Sequence, residues 1–440
     1  MALGGGNWIS QNKKIPGAYI NFISRATANA ALGERGIVAM GLKMDWGIDG
    51  EIIEVDVGDF IKNSLKIFGY DYSAPEMKGL RDLFKNATTA FFYKLNSAST
   101  GKATCTYATA KYSGICGNNL KIVIAKNADD EDLFDVATLY NNVEVDMQTV
   151  ASAAGLVNNE WVEFKTNATL AVTAGTALTG GVTAAVTAAN HQTFLEKIES
   201  YAVNAVGVVN DDTTEITSLN SLYAAWVKRM RDELGVKCQV VAYNHAADYE
   251  GVVNVKNAVS DTGWSVASLV YWVTGIVAGT AINASAMNLP YDGEFTVSAD
   301  YTQAQLESFI DAGYFVLHTV NNTLRVLVDI NSLVTTNADK GAIFKQNQTI
   351  RVIDEIANSI ANIFNTKYLG RIPNDEAGRI ALWADIVAHH GELERIRAIQ
   401  NFDEEAVTVE QGDEKGAVLV NDEIEVVNAM EKLYMTCIVA

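Results

Sequence analysis

Residues 347–387, NQTIRVIDEIANSIANIFNTKYLGRIPNDEAGRIALWADIV, decide how the carboxyl end of this chain folds. Ile350, Ile353, Ile356, Ala357, Ile360, Ile363 and Phe364 recur at three- and four-residue steps, which puts them on one stripe of a helix running to about Asn365. Gly370 and Pro373 stop that helix. Asn374 or Asp375 can cap a second helix carrying Ile380, Trp383 and Val387 on one face. The chain then closes on LYMTCIVA (433–440), an apolar, β-rich run with no partner strand of its own.

Upstream, the texture alternates. Helices are predicted at 191–201, 219–234 and 302–312, with strands at 205–209, 237–243 and 314–320, the pattern of a sheet covered by helices. Between residues 97 and 182, short strand-like runs (KATCTYAT, NLKIVIA, FDVATLY, NNVEVDMQTV, EWVEFKT) are separated by Gly, Asn and Asp, as an all-β insertion reads, and Gly180 and Gly181 mark its exit. Residues 18–95 combine strands such as AYINFI and EIIEVDV with a helix near 77–85. The expected organisation is therefore an arm at 1–17, a first core segment at 18–95, a β-sandwich-like insertion at 97–182, an α/β core at 183–342 and a carboxyl-terminal domain at 343–440. A peripheral insertion implies that excision at Ser97 and Thr183 leaves the core folded.

Residues 262–291 contain no charge and include LVYWVTGIV, which imitates a membrane span. Ser, Thr, Gly and Asn dilute the run, and Asp261 and Asp292 flank it instead of Lys or Arg. A helix buried in the α/β core is the expectation. At 440 residues and 49% hydrophobic, the chain is too long for one simple core. Its formal charge of −20 argues against direct nucleic acid binding, which needs clustered Lys and Arg. The start, MALGGGNWISQNKK, lacks the pattern of a signal peptide, so export by that route is not expected. Cys105, Cys116, Cys238 and Cys437 lack metal or disulfide-scaffold spacing and are expected as buried or inert free thiols.

Catalytic patterns are not found: there is no GxSxG, HExxH or GxxxxGK[ST]. DWGIDG (45–50) has a calcium-loop flavour, but the twelfth position is Asp56 and not Glu, so a tight turn feeding EIIEVDV is the better reading. His389 and His390 are adjacent, and side chains about 100° apart on a helix do not readily converge on one ion. Asp385 and His389 share a face and would form a weak exposed pair. No cofactor and no metal are expected. An α/β enzyme with an unrecognised site stays open as an alternative, as does another self-assembling structural protein.

The 347–387 stretch with its ending AMEKLYMTCIVA resembles the carboxyl-terminal domain of contractile tail sheath proteins of phages and R-type bacteriocins of Gram-positive bacteria. GGGNWISQNKKIPGAYINFIS (4–24) resembles the family's amino-terminal arm, and residues 64–96, 110–124, 227–255 and 325–334 resemble further segments, in order. The resemblance implies a non-enzymatic subunit, assembled in the bacterial cytoplasm, that forms a helical sheath of stacked hexameric rings. Its implied partners are copies of itself, an inner tail tube, baseplate and terminator proteins, without nucleic acid or membrane insertion. It further implies that the second helix, mapped to 375–400, faces the tube through Arg379, Glu392, Glu394, Arg395 and Arg397. Gly391, followed by a shift of the apolar register to Leu393, Ile396 and Ile399, is expected to bend or break that helix. Ala18, Tyr19 and Ile20 at one end, and Leu433, Tyr434, Met435, Thr436 and Ile438 at the other, would be arms exchanged as strands, with hinges at 4–16 and 403–416. The expected class is thus α/β in several domains: a helix-covered core sheet, an all-β insertion and exchanged terminal arms.

Overall fold

The computed structural model describes residues 33–97, 101–210 and 216–439. The amino-terminal arm, its hinge at 4–16 and the residues Ala18, Tyr19 and Ile20 lie outside the described residues. Two compact units emerge, one built on Gly33–Asn358 with Arg397–Gln400 and the chain from Val426 onward, the other on Ser359–Ile396 and Asn401–Glu425.

In the larger unit, β1 (Ile37–Leu42) and β2 (Ile52–Asp56) lead into α1 (Val57–Phe68), α2 (Lys78–Leu83) and β3 (Thr89–Lys94). Helix α1 is absent from the sequence reading, although its boundaries are written in the chain. Asp56 accepts the Asp59 N–H at 2.7 Å as N-cap, and Gly69 at φ 80° closes the helix with its N–H on the Leu65 carbonyl. After the insertion come α3 (Ala188–Ile198), β10 (Ala205–Gly207), α4 (Ile216–Asp232), β11 (Gln239–Tyr243) and β12 (Val252–Val255). Then follow α5 (Leu269–Gly279), α6 (Gln303–Asp311), β13 (Tyr314–Phe315), β14 (Leu317–Val320) and β15 (Thr323–Val326). The single strand expected at 314–320 is two: its first half joins the large sheet and its second half forms a hairpin with β15.

The large sheet runs β13-β12-β11-β10-β1-β3-β2, parallel except for β2 against β3. Alternation along β1 divides the core: Val38 and Met40 pack with Trp272, Val273 and Ile276 of α5, and Ala39 packs with Phe194, Tyr223 and Trp226 of α3 and α4. The uncharged run is therefore a buried eleven-residue helix. Among the described residues no helix is long and apolar enough to cross a membrane. A side chain on Gly275 or Gly279 would meet the Leu83 or Asn86 carbonyl at 2.4 or 2.0 Å, so α5 needs both glycines to approach the segment after α2.

Residues 101–182 form β4 (Ala108–Ala110), β5 (Leu120–Lys126), β6 (Phe134–Tyr140), β7 (Val143–Val150), β8 (Val162–Phe164) and β9 (Thr173–Ala177). These make a four-stranded sheet, β7-β6-β5-β9, and the pair β4-β8. Their core is completed by Trp46, fully buried from outside the insertion, which lies 5.7 Å from Trp161 and 5.2 Å from Tyr112. Tyr140 donates to the Gly69 carbonyl at 2.6 Å, and buried Lys94 bonds Ser113 and Asp49. Asp45, in the DWGIDG turn, accepts from Tyr70 and Thr183, so both turn carboxylates are engaged by protein donors.

Excision of 97–182 would thus uncover an indole and strand a buried ammonium. Trp46→Ala is expected to cost about 3–5 kcal/mol, and the excised chain to be destabilised by at least as much, as chemical denaturation would measure. An excised chain of unchanged stability would show that this shared packing contributes nothing.

The carboxyl-terminal helices follow. Helix α7 (Asn347–Ile363) ends in a wider turn at Phe364–Tyr368. Its first two turns are buried on polar positions as well as apolar ones: Arg351 pairs with Asp329 at 2.5 Å, and Asp354 pairs with Arg231 at 2.6 Å. Helix α8 (Glu376–Arg395) and the strands β16 (Ile399–Gln400), β17 (Thr408–Gln411), β18 (Val418–Asn421) and β19 (Glu425–Val426) follow, with β16 paired to β19 and β17 to β18.

Candidate functional site

Asp375 starts α8 by accepting the Gly378 N–H at 2.8 Å, in front of Glu376 in the first turn. The helix runs through Gly391 without a break, because Leu393 in the next turn is fully buried and its packing outweighs the roughly 1 kcal/mol glycine penalty. It ends at Arg395, five residues before the expected limit. Arg397 stands beyond it with φ 63° and is not on the helix. The buried face also differs from the expected one: Leu382, Ile386, His389, His390 and Leu393 face inward, whereas Ile380 is 58% exposed.

His389 and His390 are the main correction. Both are fully buried, with their Nδ1 atoms 3.4 Å apart, and His390 Nε2 is 2.6 Å from Asp422. Asp385, expected in a weak exposed pair with His389, accepts from Tyr368 at 2.6 Å and Lys367 at 3.0 Å. Burial, then the Asp385 bond, pushes the Tyr368 phenol pKa upward. The histidines thus pin the chain after β18 to α8. Two further bonds tie the same region: Trp383 Nε1 donates to the Val407 carbonyl, and Asn374 donates to the Lys415 and Ala417 carbonyls. The stretch 403–416, expected as a hinge, is therefore folded, with Val407 buried and β17 paired to β18.

The charges singled out on this helix are not one cluster. Arg379 donates back to Asn374, Glu392 pairs with Arg395, and Glu394 accepts the Phe402 N–H at 3.0 Å. The Glu392 carboxyl is held below the usual range by its hydrogen bond with Arg395; Glu392 is half-buried and Arg395 exposed. Between them runs an exposed line of small residues, Ala377, Ala381, Ala384, Ala388 and Gly391.

The tail is held to Ala429 and no further. Val427 N–H donates to the Ala398 carbonyl, Gln348 takes the Val427 carbonyl and the Ala429 N–H, and Thr349 bonds Asn428. Residues 430–439 belong to no helix or strand, and Leu433, Tyr434, Met435 and Ile438 are 79–89% exposed, with Thr436 between them. Cys437 is exposed here, while Cys116 and Cys238 are buried and Cys105 is partly so. The β17–β18 hairpin is a two-stranded sheet, so each strand has an open edge among the described residues.

A cleft of about 620 Å³ lies beyond the carboxyl ends of β1, β3 and β10, where open parallel sheets bind ligands. Its lining includes Met44, Phe68, Tyr70, Trp264 and His191. His191 is 2.9 Å from the Tyr223 hydroxyl, and burial pulls its pKa down to about 4.

Comparison with known proteins gives one answer along the chain. Family profiles match residues 35–95 (tail sheath protein Gp18 domain III, amino-terminal region), 96–184 (phage tail sheath protein beta-sandwich domain), 184–332 (phage tail sheath protein central domain) and 339–440 (phage tail sheath C-terminal domain). The phage-like element PBSX protein XkdK of Bacillus subtilis is 30% identical over 98% of both chains. A crystal structure of a sheath tail protein from Desulfitobacterium hafniense is 35% identical, with TM-score 0.81 over 95% of this chain and 99% of that one. A second, from Listeria innocua, is 32% identical, with TM-score 0.78 over 92% and 95%.

Proposed function

Because this chain belongs to the phage tail sheath family and is a structural subunit of a contractile tail sheath, we propose that it polymerises helically, in stacked rings, around an inner tail tube. Contraction then drives the tube through a target envelope. The role is mechanical and not catalytic, and the further partners are the tube, baseplate and tail terminator proteins. Assembly takes place in the bacterial host cytoplasm.

One observation carries this reading: the tail beyond its anchor at Ala429 leaves a row of large apolar side chains in solvent. Burying Leu433 and Ile438 alone on a neighbour contributes about 3–6 kcal/mol, and backbone pairing along an open sheet edge fixes the register. Such contacts do not close on the subunit that donates the strand, so they propagate a lattice. The 1–17 arm with Ala18, Tyr19 and Ile20 acts in the same way. The open edges of β17 and β18 are suitable acceptors. Subunits rotate about the arms, not about the folded 403–416 stretch, while the strand pairing is retained.

Electron microscopy of the purified chain with isolated tubes tests polymerisation directly; a chain that remains monomeric at high concentration with tubes present overturns it.

Helix α8 is the tube-facing element in this proposal, with small residues allowing close approach and Arg379, Glu392, Glu394 and Arg395 at its margins. Arg379→Glu with Arg395→Glu is expected to weaken binding to isolated tubes by about tenfold at low salt and to change stability by less than about 1 kcal/mol. Adding Arg397→Glu, off the helix, should change little. Equal co-sedimentation of the double variant and the wild type with tubes would move the tube contact elsewhere.

A further inference from the structure

Both ends of the described chain converge on α7. Gly33 donates its N–H to Oε1 of the buried Glu355 at 2.7 Å, and two residues on, Arg35 donates to the Val277 and Thr280 carbonyls at the end of α5. At the other end Gln348 brackets the chain, donating to the Val427 carbonyl and accepting the Ala429 N–H, both at 3.0 Å, while Thr349 meets Asn428 at 3.2 Å. Gln348 and Glu355 stand seven positions apart in α7, so they lie on nearly the same face, about 10 Å or two turns from each other.

The helix between these two points is held on several sides. Asp354 meets Arg231 through both carboxylate oxygens at 2.6 and 2.7 Å, Arg351 pairs with Asp329 and reaches the Ala284 carbonyl, and Asn358 exchanges two hydrogen bonds with the Lys237 backbone. All of these groups belong to the larger unit. Arg35 joins the same set of charges: burial and then Arg351 pull its pKa down to about 10, while Asp354, Glu355 and Asp329 act in the opposite direction.

We infer that residues 347–358 of α7 are a common root for the two terminal segments, so that loosening the chain at one end loosens it at the other. A packed segment opens as a unit. Residues 347–358 leave their place only by parting the bonds to Gly33, to Val427–Ala429 and to Arg231 and Asp329 together, so each end adds to the free energy of one shared opening. The coupling is therefore reciprocal. In a sheath built by strand exchange, a consequence that rests on the reading above, a pull entering at Gly33 meets Glu355 four residues before β1 begins. It then reaches Ala429 through two turns of helix, without crossing the seven-stranded sheet.

Hydrogen exchange of the isolated full chain, resolved to single amides by mass spectrometry, tests the coupling. Glu355→Ala should speed exchange at Gly33 by roughly tenfold, the scale of one lost hydrogen bond to a charged acceptor, and at Ala429 by about threefold. Gln348→Ala should produce the mirror image. Thr349→Val, which removes only the bond to Asn428, should give the Gln348→Ala pattern at smaller size, and Glu355→Gln, which keeps an acceptor in place, should restore protection at both ends. Trp46→Ala weakens the subunit elsewhere and should leave both amides as in the wild type. Variants that each disturb only their own end, or an equal rise at both amides in Trp46→Ala, overturn the common root. Failure of the chain to polymerise with tubes overturns the strand-exchange reading instead, an outcome that exchange in the isolated subunit does not depend on.

Discussion

Removal of Leu433–Ala440 is expected to abolish sheath polymerisation while shifting the melting temperature by no more than about 2 °C. These residues have almost no contact with their own subunit: Leu433, Tyr434 and Ile438 are 86–89% exposed, and the anchoring bonds end at Ala429. Deleting them therefore removes little from the folded state, where a 1 kcal/mol loss would register as a few degrees. It removes a donated strand from every lattice connection. Removing Met1–Lys14 should likewise block assembly. Single substitutions resolve the mechanism further. Proline at Tyr434 or Thr436 deletes a backbone donor and fixes φ, so it should impair assembly far more than alanine at the same position. Sedimentation and microscopy decide the outcome: equal assembly by proline and alanine variants, or contractile tubes from both truncations, would shift the lattice to side-chain interfaces.

Asp329→Asn is expected to produce the largest stability loss from one polar substitution, about 3–5 kcal/mol. Asp329 and Arg351 are each only 1% exposed; the carboxylate also accepts from Asn347 and from the Ala286 N–H, and Arg351 also reaches the Ala284 carbonyl. Burial opposes ionisation of Asp329, yet Arg351 and these donors hold its pKa below the ordinary aspartate value. A depressed folded-state pKa means that the contribution is present above the unfolded-state value and disappears as pH falls through the folded-state one. Wild-type denaturation midpoints should therefore drop on the acid side of the usual carboxylate range. The variant should be weaker at pH 7 and should lose less on acidification. Adding Arg351→Met removes the stranded guanidinium and should recover part of the loss. A neutral single variant would show that the network does not hold the start of α7.

The α/β class was readable because helices and strands announce themselves through local spacing. The stripe from Ile350 to Ile363, the 3.6-residue pattern of 216–232 and the diluted apolar run that became α5 each depend on neighbours within a few positions. Helix α1 shows that the same kind of signal can be overlooked. Phe60, Ser64 and Phe68 are buried at four-residue steps between Asp56 and Gly69, but the β-like lead of EIIEVDV masks where the helix begins. The premature end of α8 had no such mark. A non-glycine residue at positive φ, Arg397, terminates it, and burial of Ala398 and Ile399 is what holds the chain there.

The chain by itself determined that it would build a helix-covered parallel sheet, two carboxyl-terminal helices and an apolar tail without a partner strand, because period and capping act over distances of one or two turns. Only the tertiary structure decided which polar groups meet: His390 with Asp422, Arg351 with Asp329, and Trp46 with the core of the β insertion. His389 and His390 looked like exposed helix residues because nothing nearby shows that Asp422, 32 positions away from His390, returns to cover them. A buried charge or ring is stabilised by whatever the fold brings within about 3 Å, and that choice depends on chain return and packing, which local periodicity does not encode.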